Sequence, residues 1–255
     1  MSYSNHRFNI YMDMNNLKYL ITGTGRSGTV FMARLLTSVG ILCGHETIFN
    51  NQGIDVAKRR LSGEVDLILS ECSTTKFNPE TNTSENIYWN PDIQNIIADS
   101  SYMAAPFLND EIFNSTSVIH VVRNPLNVIN SFCNNLNYFE KTDPTNQYEQ
   151  FIFNYAPELK MNMPQYDRAA LFYIRWNQMI EINNPNFVFK IEDNTDLVLE
   201  FLKITSGTEC YKDTNTNVFK KSKDEVFSKF SQIESVEIKS ELIKMASKYG
   251  YVYFI

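Results

Sequence analysis

The chain lacks any apolar run near the roughly 18 residues that a membrane span needs. Its opening residues, MSYSNHRFNIYMDMNN, hold neither the apolar stretch nor the cleavage site of a secretory signal. A cytoplasmic protein is therefore expected. A basic excess is missing too: 23 Lys and Arg stand against 29 Asp and Glu, for a net charge of -6. That field offers nothing to nucleic acid, so an anionic ligand must be held by a local pocket. Cys43, Cys72, Cys133 and Cys210 lack the paired spacing of zinc or redox motifs, which leaves free buried thiols as the reading. Repeats and low-complexity linkers are also absent. The 255 residues fit a single domain, 1–255, able to bury about 75% of its unfolded surface.

What is present, at residues 19–30, is YLITGTGRSGTV, an apolar strand running into a Gly-rich turn and a helix. Three phosphate-binding readings overlap there. Gly23-x-Gly25-x-x-Gly28 is the dinucleotide fingerprint of a Rossmann unit, with Glu46 near the place where an acid would hold the ribose of NAD. Against it, ILCGHET breaks at Gly44 just before that acid. Gly23-x-x-x-x-Gly28 is a nucleotide-triphosphate loop without its lysine, since Thr29 and Val30 stand where Lys and then Ser or Thr are required. The third reading centres on Arg26-Ser27-Gly28-Thr29, a cation followed by small residues whose amides wrap a phosphate at a helix start.

SVIHVVRNPLNVINSF, residues 117–132, favours the third. It reads as a strand ending in Arg123, then Asn124 as a cap and Pro125 in the first turn of a helix. Ser131 follows two turns on, so that Arg123 and Ser131 can converge on one phosphate. Neither competing loop requires this second anion site.

Further short apolar runs, VDLILSE, NIIADSS and FVFKIE, read as strands. Helical spacing marks Thr29–Val39, Arg168–Ile182 and VEIKSELIKMASKYGY. Strands alternating with helices imply an α/β fold with a mostly parallel sheet covered on both faces. Residues 134–166, aromatic and interrupted by prolines, read as an inserted lid or substrate region, and 205–218 as a surface loop.

The two loops together resemble the sulfotransferase superfamily that uses 3′-phosphoadenosine 5′-phosphosulfate (PAPS). RSGTVFMARLL followed by CGHET is most similar to its tyrosylprotein and bacterial branch. The resemblance is strong over 18–47 and 117–132, weaker in RWNQMIEIN and FVFKIEDNTDLVLEFLKI. It implies a P-loop-type three-layer α/β/α fold and transfer of a sulfuryl group from PAPS, leaving 3′,5′-ADP, to a hydroxyl or amine. It also implies that Gly23, Thr24, Gly25, Arg26, Ser27, Gly28, Thr29 and Val30 bind the 5′-phosphosulfate and that Arg123 and Ser131 bind the 3′-phosphate. Arg26 would neutralise charge without a metal, and the Ser27 and Thr29 hydroxyls would add hydrogen bonds. Glu46 matches the catalytic base, with His45 as its rival. Two features depart from the family: DSSYMAAPF carries neither the histidine nor the lysine that members place there, leaving Asp99, Ser100 and Ser101, and the C-terminal KGxxGDW segment is absent.

Other residues carry plainer readings beside functional ones. His120 lies in an apolar strand as a core histidine. Trp176 is either core or an adenine-stacking ring, and Lys58-Arg59-Arg60 a solvated helix face or a greeting for an anionic acceptor. A small molecule, glycan or peptide hydroxyl would be the acceptor. A protein that binds PAPS without catalysis, and an NAD-dependent Rossmann enzyme, stand as alternatives.

Overall fold

The computed structural model describes residues 17–68, 73–78, 83–88, 95–136, 138–140, 145–205 and 230–251. Cys72, Cys210 and most of the 205–218 stretch lie outside them. Apolar runs make the strands β1 (Tyr19–Gly23), β6 (Ser117–Val122) and β7 (Phe187–Lys190), and two short buried segments make β2 (Cys43–His45) and β5 (Ala98–Ser100). They form one five-stranded sheet in the order β2-β5-β1-β6-β7, parallel throughout. Between β2 and β5 the strands β3 (Ser73–Asn78) and β4 (Thr83–Tyr88) pair antiparallel as a separate hairpin.

Successive side chains on a strand face opposite ways, and the core divides accordingly. Ile21, Ile119 and Val121 face α1 (Thr29–Ser38) and α6 (Asp196–Phe201), packing on Met32, Leu35, Leu36 and Val198. Leu20 and Val122 face the larger cluster on the other side. That layer contains α2 (Ile54–Leu61), α3 (Pro125–Asn130), α4 (Gln147–Tyr155), α5 (Gln165–Ile182) and α7 (Val236–Lys248). The result is a three-layer α/β/α fold, as the alternation of elements implies.

Two local expectations change, at Val65–Ile68 and at Arg60. Val65–Ile68 is irregular rather than strand. The turn after α2 folds back through Gly63 at φ 75°, and the amides of Glu64 and Val65 donate to the Arg59 carbonyl. Within 134–166 lies the helix α4, and Phe139, Phe151 and Ile152 are buried in the large core cluster. Arg60 turns inward, donating to the Ile48 carbonyl at 2.8 Å and the Asn50 side chain at 3.2 Å, whereas Lys58 pairs with Asp110 on the surface. Trp176 is fully buried with its indole N–H on the Tyr102 carbonyl at 2.8 Å, a core ring and not an adenine platform. His120 is likewise buried, its Nε2 against Asn177 Oδ1 at 2.8 Å. Cys43 and Cys133 are free, buried thiols. Among the described residues no helix is long and apolar enough to cross a membrane.

Candidate active site

The chain leaves β1 toward β2 on one side of the sheet and leaves β6 toward β7 on the other. A crevice therefore opens outside the carboxyl ends of β1 and β6, the place where parallel sheets bind ligands. The loop after Gly23 and the loop after Val122 flank it, held in register by pairing of Gly23 with Val121. The sheet order also separates β2 from β1 by β5. A dinucleotide-binding Rossmann half places its second strand directly beside the first, so Glu46 does not occupy the ribose-binding position of such a unit.

Residues Thr24–Gly28 form a tight turn. The Ser27 amide donates to the Thr24 carbonyl at 3.1 Å, and the Thr24 and Ser27 hydroxyls bond each other. Gly28 stands at the cap position of α1 with φ 109°, a conformation that glycine adopts without strain. No side chain caps α1, and its first turn holds no acid. The leading amides of a helix have no partner within it and carry partial positive charge. Uncapped, they suit an anion. The Thr29 hydroxyl lies 3.1 Å from His45 Nε2 and its carbonyl accepts from Ser100 Oγ at 2.8 Å. In this structure the Ser27 hydroxyl bonds that of Thr24 and the Thr29 hydroxyl lies beside His45, so both help to shape the loop. Val30 is exposed at the start of the helix.

The second anchor folds as its sequence implies. Asn124 caps α3, accepting from the Leu126 amide at 3.1 Å, and Pro125 occupies the first turn. Beyond Asn130 the helix widens into a π-turn, Ser131–Asn135, in which the Leu136 amide donates to the Ser131 carbonyl at 3.2 Å. Arg26 reaches across the crevice and donates through Nε to Ser131 Oγ at 2.9 Å. Arg123 Nη1 donates to the Arg26 carbonyl at 3.0 Å. The two distant loops thus meet in one place, with two guanidinium groups and a serine hydroxyl between them. Burial pulls the Arg123 pKa down, opposed by the Glu192 carboxylate and reinforced by Arg26. A bound anion would relieve that burden.

His45 ends β2 and Glu46 follows it directly. Glu46 is buried with a left-handed backbone, φ 51°, and its Oε1 lies 3.9 Å from His45 Nε2. Burial, then Arg34 and Arg26, pull the His45 pKa down to about 4. His45 is therefore a neutral imidazole near neutrality, with its Nε2 beside the Thr29 hydroxyl. The side chains of Asp99, Ser100 and Ser101 turn into the fold. Asp99 accepts from the amides of Thr47, Ile48 and Phe49, and Ser101 Oγ donates to the Phe49 carbonyl at 2.7 Å. None of the three replaces the absent lysine or histidine.

Two further residues flank the candidate site: Glu192, which no sequence signal marks, and Tyr138, within the stretch read as a substrate region. Glu192, after β7, accepts from the Asn124 amide at 3.0 Å and from the Tyr251 hydroxyl at 2.7 Å, fixing the loop that carries Arg123. The Tyr138 ring packs tilted against Phe132, 5.8 Å between ring centres. Burial raises its pKa, an Asn146 hydrogen bond lowers it, Glu149 and Glu46 raise it, and Arg26 lowers it. The left-handed Phe139 beside it, φ 66°, is held by Glu149 Oε1 on its amide at 2.7 Å, and Gln165 donates to the Tyr138 carbonyl at 2.8 Å. The Glu46 and Arg26 charges thus both act on the Tyr138 hydroxyl.

A scan against protein-family models finds no family that matches this chain, and a search of curated proteins finds no match to it.

Proposed function

We propose that the protein is a PAPS-dependent sulfotransferase. The observation that carries this reading is the pair of contacts joining the two loops, Arg26 Nε to Ser131 Oγ at 2.9 Å and Arg123 Nη1 to the Arg26 carbonyl at 3.0 Å. A nucleotide with anionic groups at both its 5′ and 3′ positions needs two cation-bearing anchors flanking one crevice. The uncapped α1 amides and Arg26 would take the phosphosulfate, and Arg123 with Ser131 the 3′-phosphate.

In the reaction the acceptor oxygen forms a bond to sulfur while the bond from sulfur to the bridging phosphate oxygen breaks in line. Glu46 takes the acceptor proton. Arg26 and the helix amides stabilise the charge that develops on the departing 3′,5′-ADP, which is electrostatic preorganisation. Arginine stays protonated, so it supplies this charge without a metal ion. Tyr138 and the aromatic segment behind it would line the approach of a hydroxyl or amine acceptor.

Incubation with 35S-labelled PAPS and a panel of small-molecule, glycan and peptide acceptors tests the proposal. Transfer of label supports it. Calorimetric binding of 3′,5′-ADP without transfer to any acceptor would identify a nucleotide-binding module instead. Preference for NAD over 3′,5′-ADP would remove both readings.

A further inference from the structure

The backbone from Glu46 to Phe49 carries polar groups in a buried loop, and each such group needs a partner. Most of their partners come from the end of β5. The Glu46 amide donates to the Ser100 carbonyl at 3.1 Å. Asp99 Oδ1 accepts from the Thr47 amide at 3.2 Å, and Oδ2 from Ile48 at 3.1 Å and Phe49 at 3.0 Å. Ser101 Oγ donates to the Phe49 carbonyl at 2.7 Å. From the opposite side Arg60 donates to the Ile48 carbonyl at 2.8 Å, and the Ile68 amide to Thr47 O at 3.2 Å.

Asp99 reaches this loop by crossing β2. It pairs with Gly44 in the sheet register, and a Cβ added at Gly44 would lie 2.8 Å from Asp99 Oδ1 and 2.5 Å from Thr47 Oγ1. The glycine thus keeps open the passage that the carboxylate uses. Asp99 itself is fully buried, far from solvent, and spends both oxygens on one turn. At the head of that turn Glu46 sits at φ 51°, unusual for a residue with a side chain. Such a conformation persists only where the surroundings over-determine it.

We infer that Asp99 is the positioning residue for Glu46, and that it acts with Gly44 and Ser101 as a clamp holding the candidate base in its left-handed conformation. The inference rests on the sulfotransferase reading for its kinetic consequence, and on the hydrogen bonds alone for the clamp.

In Asp99→Asn one acceptor oxygen becomes an NH2 group aimed at backbone N–H donors, so the turn must rearrange. A displacement of about 1 Å at a reacting group costs roughly 100-fold in rate. With labelled PAPS, kcat should fall by about that factor, while the Kd for 3′,5′-ADP and the acceptor KM stay within about twofold of wild type. Gly44→Ala, which keeps the carboxylate but blocks its path, should show the same split. Unchanged kcat in both variants, or equal losses in kcat and nucleotide affinity, would overturn the inference. Should neither variant fold, Ser101→Ala removes one bond of the clamp, and a lower kcat at unchanged nucleotide affinity is expected of it too; unchanged kcat there would count against the clamp. A wild-type chain that transfers no sulfuryl group would overturn the functional reading instead. Amide exchange at Thr47, Ile48 and Phe49 then decides the clamp by itself: faster exchange in the variant upholds it, and unchanged exchange refutes it.

Discussion

Replacing Arg123 with alanine separates the two phosphates of the proposed nucleotide. The guanidinium has five N–H donors, so bonding to the Arg26 carbonyl at 3.0 Å does not exhaust its capacity for a phosphate. Charge-assisted contacts of this kind contribute about 1.5–3 kcal/mol. Losing them should weaken 3′,5′-ADP by roughly 10- to 150-fold. The same substitution also removes support from the phosphosulfate loop, at about 0.5–1.5 kcal/mol for one hydrogen bond. That second loss falls equally on a ligand without a 3′-phosphate. Titration calorimetry of wild type and Arg123→Ala with 3′,5′-ADP and with 5′-AMP therefore forms a cycle in which the loop contribution cancels. A residual of about 1.5 kcal/mol or more between the two ligands is expected. Equal losses for both nucleotides would refute the assignment of Arg123 to the 3′-phosphate and leave it as a loop support.

Glu46→Gln should lower kcat by roughly 10²- to 10⁴-fold, the usual share of a general base, with 3′,5′-ADP affinity unchanged in calorimetry; near-normal turnover would remove Glu46 from the mechanism. Gly28→Ala forces a side chain into φ 109° with its Cβ 2.7 Å from Ile191 Cδ1, which should cost about 1–3 kcal/mol in urea unfolding; a loss under about 0.5 kcal/mol would mean that the turn relaxes freely. Acid should also weaken the fold. Burial lowers the pKa of both His45 and His120 to about 4 from 6.5, so each binds a proton more readily when unfolded, and stability falls with pH between about 6.5 and 4. From pH 7 to 5 this amounts to about 2 kcal/mol per histidine. Asp99, raised by burial to about 6, works in the opposite direction and offsets about 1 kcal/mol over the same range. Urea titrations at the two pH values check the sum, and His120→Gln should lose the share of its own histidine; an unchanged slope in that variant would contradict the buried neutral ring.

The parts of the site that local sequence announces are those built by adjacent residues. Strand, glycine turn and helix follow each other directly from Tyr19 to Ser38, and Asn124 caps the helix that Pro125 begins. The closeness of Arg26 to Ser131 follows from parallel pairing of β1 and β6, which periodicity and strand composition imply. The role of Asp99 depends instead on a partner strand reached through the β3–β4 hairpin, and nothing near DSS marks which backbone amides it will meet. Tyr138 falls within the stretch that the sequence marks as a substrate region, but its orientation is not legible there, because Glu149 and Gln165 set it from α4 and α5. Arg60 shows the converse failure: beside two other basic residues it resembles a solvated face, yet the carbonyl of Ile48 draws it into the fold.

The widened helical turn that begins at Ser131 makes chain length as important as residue identity there. A one-residue deletion between Phe132 and Asn135 would let the segment rewind at ordinary pitch, swinging Tyr138 around the helix axis while Arg26, Arg123 and Ser131 kept their identities. Under the proposed sulfotransferase reading, insertions and deletions in this short span would retune acceptor choice with nucleotide recognition left intact.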